Sequence, residues 1–244
     1  MRRNLKVVDI LPFGDQAISI RFGTTQSVQL HHVIQTFMVN LEQRPFDWMI
    51  EAVPAFTMVT VTYDPFFIHS KVKSTHSPYE IVKSEIESRL KEIEWADVAQ
   101  IESRTVHIPV CYGGEWGPDL GHVASVNGLS PEEVIRIHSE AVYLVHMIGF
   151  APGFPYLGGL SKEISTPRRD SPRLVIPKGS VGIAGDQTGV YPLETPGGWQ
   201  LIGRTPIDLF NSHSESPSLL KAGDHVRFVP ITASEFKSKL TALK

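Results

Sequence analysis

The chain has 244 residues, 41% hydrophobic and 20% charged, which is enough apolar material for one large or two modest cores and excludes a disordered chain. Lys plus Arg number 23 against 26 Asp plus Glu, a formal charge of -3 that excludes a general nucleic-acid binder, which needs a basic face for phosphates. The single cysteine, Cys111, excludes an internal disulfide framework and a cysteine-based zinc cluster.

Arg2, Arg3 and Lys6 precede a stretch that Asp9, Pro12 and Asp15 interrupt, so it does not read as a signal peptide and a cytoplasmic location is expected. Ala17 to Phe22 reads as a short strand. Val28, Leu30, Val33, Ile34, Phe37, Met38 and Leu41 recur at helical spacing and predict a helix over Ser27 to Leu41. Thr57 to Tyr63 alternates and is β-branched, a strand signal. Pro78 to Ile93 reads as a second helix, with Ser77 as N-cap and Pro78 in the first turn. Flanked by weaker strands, this order is that of a small split-βαβ sandwich, read as a scaffold or a partner-docking domain over residues 1–104.

Glu102 to Arg104 is a polar joint, after which Gly and Pro become frequent. Thr105 to Cys111 is strand-like, and the turn-rich Tyr112 to Leu120 places Asp119 at a helix start. Ser130-Pro131-Glu132-Glu133 is a capping box that predicts a helix to about Ile148, with Val134, Ile137, His138, Ala141, Val145 and Ile148 on one face. Ala141 to Ser161 lacks charged residues, but Gly149, Pro152, Gly153, Pro155, Gly158 and Gly159 break its second half, so no membrane span is expected. Short apolar pieces follow at Arg173–Ile176, Ser180–Ala184, Val190–Leu193, Trp199–Ile202 and His225–Val229. Gly, Pro and Asp separate them, as in a β-barrel or sandwich. Ser234 to Leu243 reads as a short closing helix.

Ten histidines raise the question of a metal. His31 and His32 are adjacent and diverge on a helix, His138 and His146 are about two turns apart, and no His-Glu-x-x-His occurs, so no protein-built metal site is expected. Gly179 to Gly185 is glycine-rich, but its spacing is neither the Rossmann fingerprint nor a Walker loop. It reads as a tight β-turn, with Lys178 beside backbone N–H groups able to hold an anion. No nucleophilic triad is visible, and His107 with Cys111 on one strand reads as packing. The dense middle is the strongest signal. Phe150, Phe154 and Tyr156 are expected to project from a loop fixed by Pro152 and its neighbouring glycines, as a pocket wall or docking knob. Arg168, Arg169, Arg173 and Lys178 follow, interleaved with prolines, then Gln187, Tyr191, Glu194, Trp199 and Arg204. Arginine forks suit carboxylates and phosphates, so this set points to an anionic small molecule or a partner.

Four segments carry a family resemblance: Ile108 to Leu120, Gly149 to Gly159 with Thr166 to Arg169 behind it, Gly182 to Pro192, and Thr195 to Gly203. Together they resemble the KipI family, also called allophanate hydrolase subunit 1 or the PxpB family of 5-oxoprolinase subunits. The resemblance spans nearly the whole chain and is weakest over the first hundred residues. It implies an α+β protein, with a small N-terminal unit (1–104) and a cyclophilin-like β-barrel (105–244). It also implies a non-autonomous subunit of an ATP-dependent 5-oxoprolinase, which opens 5-oxoproline to L-glutamate. The implied partners are a KipA/PxpC-type subunit and a LamB/YcsF-type PxpA subunit, and a fused relative is the carboxyltransferase part of urea carboxylase. ATP, with Mg2+, would be shared with the partner and would activate the stable lactam by phosphorylating its amide oxygen. Arg168, Arg169, Lys178 and Arg204 are then the candidates for phosphate and carboxylate, Phe150, Phe154 and Tyr156 for the ring pocket, and Gln187, Tyr191 and Glu194 for polar orientation. No catalytic residue is assigned. The alternative implied by the same family is an inhibitor of sporulation histidine kinase autophosphorylation, docking through its barrel. Prolyl isomerase activity would rest on the fold alone.

Overall fold

The computed structural model describes residues 9–25, 27–71, 75–93 and 104–242, and the chain separates into two units, Met1–Glu102 and Ser103–Lys244. Glu102 and Ser103 of the polar joint lie outside the described residues.

The first unit runs β1 (Asp9–Pro12), β2 (Ala17–Arg21), α1 (Val28–Gln43), β3 (Met49–Ala55), β4 (Met58–Tyr63), α2 (Pro65–Lys71) and α3 (Pro78–Glu92). Its sheet has the order β1-β2-β4-β3, and every neighbouring pair is antiparallel. It follows that β2 and β3, joined through α1, run parallel with β4 inserted between them, which is the split βαβ arrangement the pattern predicts. The Ser27 hydroxyl caps α1 by accepting the Leu30 N–H, and Val33, Ile34, Phe37 and Leu41 line its buried face. They pack with Ile18 and Ile20 of β2, Val59 and Val61 of β4, and Val82 and Ile86 of α3. Ser77 and Glu80 form a reciprocal capping box with Pro78 behind the cap, so α3 begins where the sequence placed it. β3 has no fully buried residue, so it lacks the alternation that marks β4.

The second unit contains β5 (Thr105–Tyr112), α4 (Leu120–Asn127), α5 (Pro131–Glu140), β6 (Tyr143–Ile148), β7 (Pro155–Gly158), β8 (Arg173–Ile176), β9 (Ser180–Ala184), β10 (Gln187–Val190), β11 (Thr195–Gly197), β12 (Gln200–Arg204), β13 (His225–Pro230) and α6 (Ala233–Ala242). Among the described residues seven strands close a barrel in the order β10-β7-β6-β13-β5-β12-β9, and β8 pairs with β11 as a separate ribbon. The barrel interior is filled by Ile108, Val110, Val145, Leu157, Val181, Ile202 and Phe228.

Two expected elements are corrected. The helix opened by Ser130 ends at Glu140, because Ala141 already has extended backbone and Tyr143–Ile148 pairs with β7 and β13. The uncharged run that continues a helical face also supplies the strand needed to close the barrel, and tertiary pairing decides between the two. His138 and His146 therefore sit on different elements. The strand expected at Val190–Leu193 lies instead at Gln187–Val190. No described helix is long and apolar enough to cross a membrane.

Candidate functional site: an aromatic and arginine face on the barrel

The loop between β6 and β7 is tight. The Gly149 N–H donates to Phe154 O at 3.1 Å, and the Phe154 N–H donates to Ala151 O at 2.9 Å. This turn puts Phe150 in the left-handed region, φ 69°, which a side chain other than glycine enters only at a cost. Phe154 does not project as expected. It is 2% exposed and sits at the centre of a cluster, its ring centroid 5.4 Å from Phe150, 5.0 Å from Tyr156, 5.3 Å from Tyr191 and 5.5 Å from Trp199, each edge to face. An aromatic with four apolar rings within reach gains more by burial than by projecting into water. Tyr191 and Trp199 are also buried, Tyr156 is half-buried, and Phe150, at 64% exposure, and Pro152 are the parts that reach solvent. Gly189 makes the packing possible. A Cβ there would lie 2.9 Å from Pro155 O and 3.1 Å from both the Phe154 and Trp199 rings. Burial pushes the Tyr191 phenol up to about 12, against the lowering effects of the Trp199 N–H that it accepts and of nearby Arg168.

The cations do not form one set. Arg168 is exposed and acts on Tyr191. Arg169 donates from Nη1 to Asp119 Oδ1 at 3.2 Å, and Arg173 grips the same carboxylate with Nη1 and Nη2, both at 2.8 Å. Burial raises the Asp119 pKa. The Arg173 hydrogen bonds, the Leu201 N–H and the arginine charges outweigh that and hold it below the usual range. Lys178 pairs with Asp208 at 2.8 Å, and Arg204 Nε donates to Lys178 O at 2.7 Å. Gln187 is half-buried at the start of β10, and Glu194 is exposed just before β11. The structure thus groups Phe150, Phe154, Tyr156, Tyr191 and Trp199 with Arg168, and gives Arg169, Lys178 and Arg204 partners of their own. Sequence reasoning counted Arg173 among the cations but missed Asp119 as the carboxylate that takes it and Arg169. Asp119 was placed only as a helix start, a position where its side chain in fact makes no capping bond.

The glycine-rich segment is β9, wholly buried and paired on one side with β10 and on the other with β12. Its backbone groups are committed to the sheet and Lys178 pairs with Asp208, so this segment does not form a nucleotide phosphate cradle. No group of His, Cys, Asp and Glu among the described residues could hold a metal. A depression of about 220 Å³ in the first unit is lined by Arg44, Arg89, Glu85 and Glu92, whose charges balance.

Inside the barrel unit His138 is fully buried. The Thr188 hydroxyl donates to Gly182 O at 2.9 Å, so it accepts from His138 Nε2–H, also at 2.9 Å, and the Tyr112 hydroxyl then donates to Nδ1 at 2.8 Å. Every proton is used by a neutral imidazole, and burial depresses the His138 pKa to about 3.

A split-βαβ unit followed in the chain by a closed seven-stranded barrel defines an α+β protein of two units. The family that matches residues 8–220 is described as "Carboxyltransferase domain, subdomain C and D". The B-type subunit of 5-oxoprolinase from Bacillus subtilis is 52% identical over 224 residues, 91% of this chain and 92% of that protein. The protein of the same name from Escherichia coli O157:H7 is 46% identical over 192 residues, 78% of this chain and 83% of that one. The chain belongs to the KipI, or PxpB, family of 5-oxoprolinase subunits. The crystal structure of TTHA0988 superposes with a TM-score of 0.75 at 34% identity, covering 89% of this chain. This chain spans only 40% of that one.

Proposed function

We propose that the chain is the PxpB component of an ATP-dependent 5-oxoprolinase that opens 5-oxoproline to L-glutamate in the cytoplasm, in complex with a KipA/PxpC-type subunit and a LamB/YcsF-type PxpA subunit. The observation that carries this reading is the 52% identity, over nearly all of both chains, to a protein named as that component. The aromatic and arginine face suits the substrate. Arg168 is the exposed cation for its carboxylate, and Phe150 with Tyr156 offers the ring an aromatic wall. Tyr191 is neutral at physiological pH and keeps its hydroxyl turned to the Trp199 N–H. The glycine-rich strand β9 offers ATP no open phosphate cradle, so the nucleotide and its Mg2+ are read as shared with the partner subunit and no step is drawn through them.

The test is Arg168→Ala in the assembled complex. The expected result is normal assembly by size-exclusion chromatography with a KM for 5-oxoproline raised about tenfold or more, the loss of one charge-assisted contact. An unchanged KM refutes the assignment of this face to the substrate. A second reading, docking of a histidine kinase, draws on the exposure of Phe150 and Pro152. It predicts that Phe150→Ala weakens inhibition of kinase autophosphorylation by the added protein, and undiminished inhibition rejects it.

A further inference from the structure

Asp119 is unused in that reading, yet its side chain lies beneath the arginine side of the face. It belongs to the Gly117-Pro118-Asp119-Leu120 segment and occupies the N-cap position of α4. An aspartate there normally spends its carboxylate on the helix N–H groups. Here the carboxylate turns away and takes four hydrogen bonds: from Arg169 Nη1, from both terminal nitrogens of Arg173, and from the Leu201 N–H at 2.7 Å. The residue is 5% exposed. A carboxylate so buried is costly unless every lone pair is engaged, and this one is engaged by two cations.

Those bonds join the segments that carry Arg168 and Trp199. Leu201 is on β12, two residues past Trp199. Arg173 opens β8, the strand that pairs with β11 ahead of Trp199. Arg169 follows Arg168 directly, and the backbone on both sides of Arg168 is pinned to the same stretch, with the Arg169 N–H donating to Gly198 O at 2.8 Å and Gln200 Nε2 to Pro167 O at 3.0 Å. The guanidinium of Arg168 is therefore presented from a loop held to Gly198 and Gln200 by those two bonds and to Asp119 through the side chain of the neighbouring Arg169. Asp119 also sets the charge, since it compensates one of the arginines 168, 169 and 173 and leaves an excess for an anion.

We infer that Asp119 is a positioning residue of the substrate site, fixing through Arg169 and Arg173 where Arg168 and the Trp199 turn meet the carboxylate of 5-oxoproline. The inference rests on the functional reading proposed for this face. Positioning and simple electrostatics predict opposite signs. Asp119→Asn adds net positive charge, so a purely electrostatic effect lowers the KM for an anionic substrate, whereas loss of positioning raises it. Arg173→Met removes positive charge, and both effects raise KM.

The experiment measures kcat and KM for 5-oxoproline in the assembled three-subunit complex, per complex isolated by size exclusion, for the wild type, Asp119→Asn, Arg173→Met and the double variant. The expected result is a KM raised about tenfold or more by each single change, with kcat nearly kept, and a double variant no worse than either single one. A KM that is unchanged or lowered in Asp119→Asn, or a double variant whose effects multiply, overturns the inference. So does a loss confined to melting temperature and yield of complex, which marks a purely structural role. If Asp119→Asn does not assemble, Arg169→Met removes only the longer bond and is expected to raise KM at least about threefold, and an unchanged KM there overturns the inference as well. A wild-type complex that makes no ATP-dependent glutamate fails the functional reading itself, which separates the two failures.

Discussion

Phe154 and Phe150 are four residues apart on one loop, and the structure gives them opposite roles. Truncating Phe154 to alanine removes a ring that is 2% exposed and touches four others edge to face. Its transfer from water is worth roughly 1.5–3 kcal/mol, and the cavity left among stiff rings brings the expected loss to about 3–5 kcal/mol. Phe150→Ala gives up one close ring edge, at 5.4 Å, and a longer one to Tyr191 at 6.5 Å, so about 0.5–1.5 kcal/mol is expected. Phe150→Gly loses the same contacts but relieves a left-handed backbone that costs an L-residue roughly 1–2 kcal/mol, so it should be more stable than the alanine variant. Urea unfolding of the full chain, followed by tryptophan fluorescence with Trp199 as reporter inside the cluster, gives the order. A Phe154→Ala loss under about 1 kcal/mol, or a glycine variant less stable than the alanine at position 150, refutes the reasoning.

Gly189→Ala should cost about 1–3 kcal/mol, because its methyl has to displace Pro155 O or the rings of Phe154 and Trp199; a neutral effect in the same unfolding assay would show that the cluster can yield. His138 gives the barrel unit an acid limb. Its pKa falls from 6.5 to about 3 on folding, so the unfolded chain takes up the proton first. The stability it contributes is complete above about pH 6.5 and is lost as pH falls towards 3, at about 1.4 kcal/mol per pH unit. Urea midpoints between pH 4 and 7 should show that slope, and His138→Gln should flatten it.

Local chemistry was the readable part of this fold. Ser77-Pro78-x-Glu80 and Ser130-Pro131-x-Glu133 both start helices through the capping boxes that their spacing predicts, and Met58–Tyr63 alternates because one face is buried and the other is not. What failed were elements whose identity depends on distant partners. Tyr143–Ile148 is as apolar as a helix face and becomes a strand only because β7 and β13 lie on either side of it. On the site, the aromatic residues were legible as a group, but which would be buried was not, because Tyr191 and Trp199 reach Phe154 from segments distant in sequence, just after β10 and just before β12. The arginines were legible as types. Their division was not, since the carboxylate that takes two of them is Asp119, 50 residues from Arg169 and 54 from Arg173. No spacing rule links such positions.

The most direct measurement of the central claim is glutamate formation from 5-oxoproline by the three subunits mixed together, with and without ATP, and with this chain left out. The account predicts ATP-dependent glutamate that disappears when this chain is omitted and returns when it is added back. Equal turnover without this chain, or none from a well-assembled complex, would contradict it.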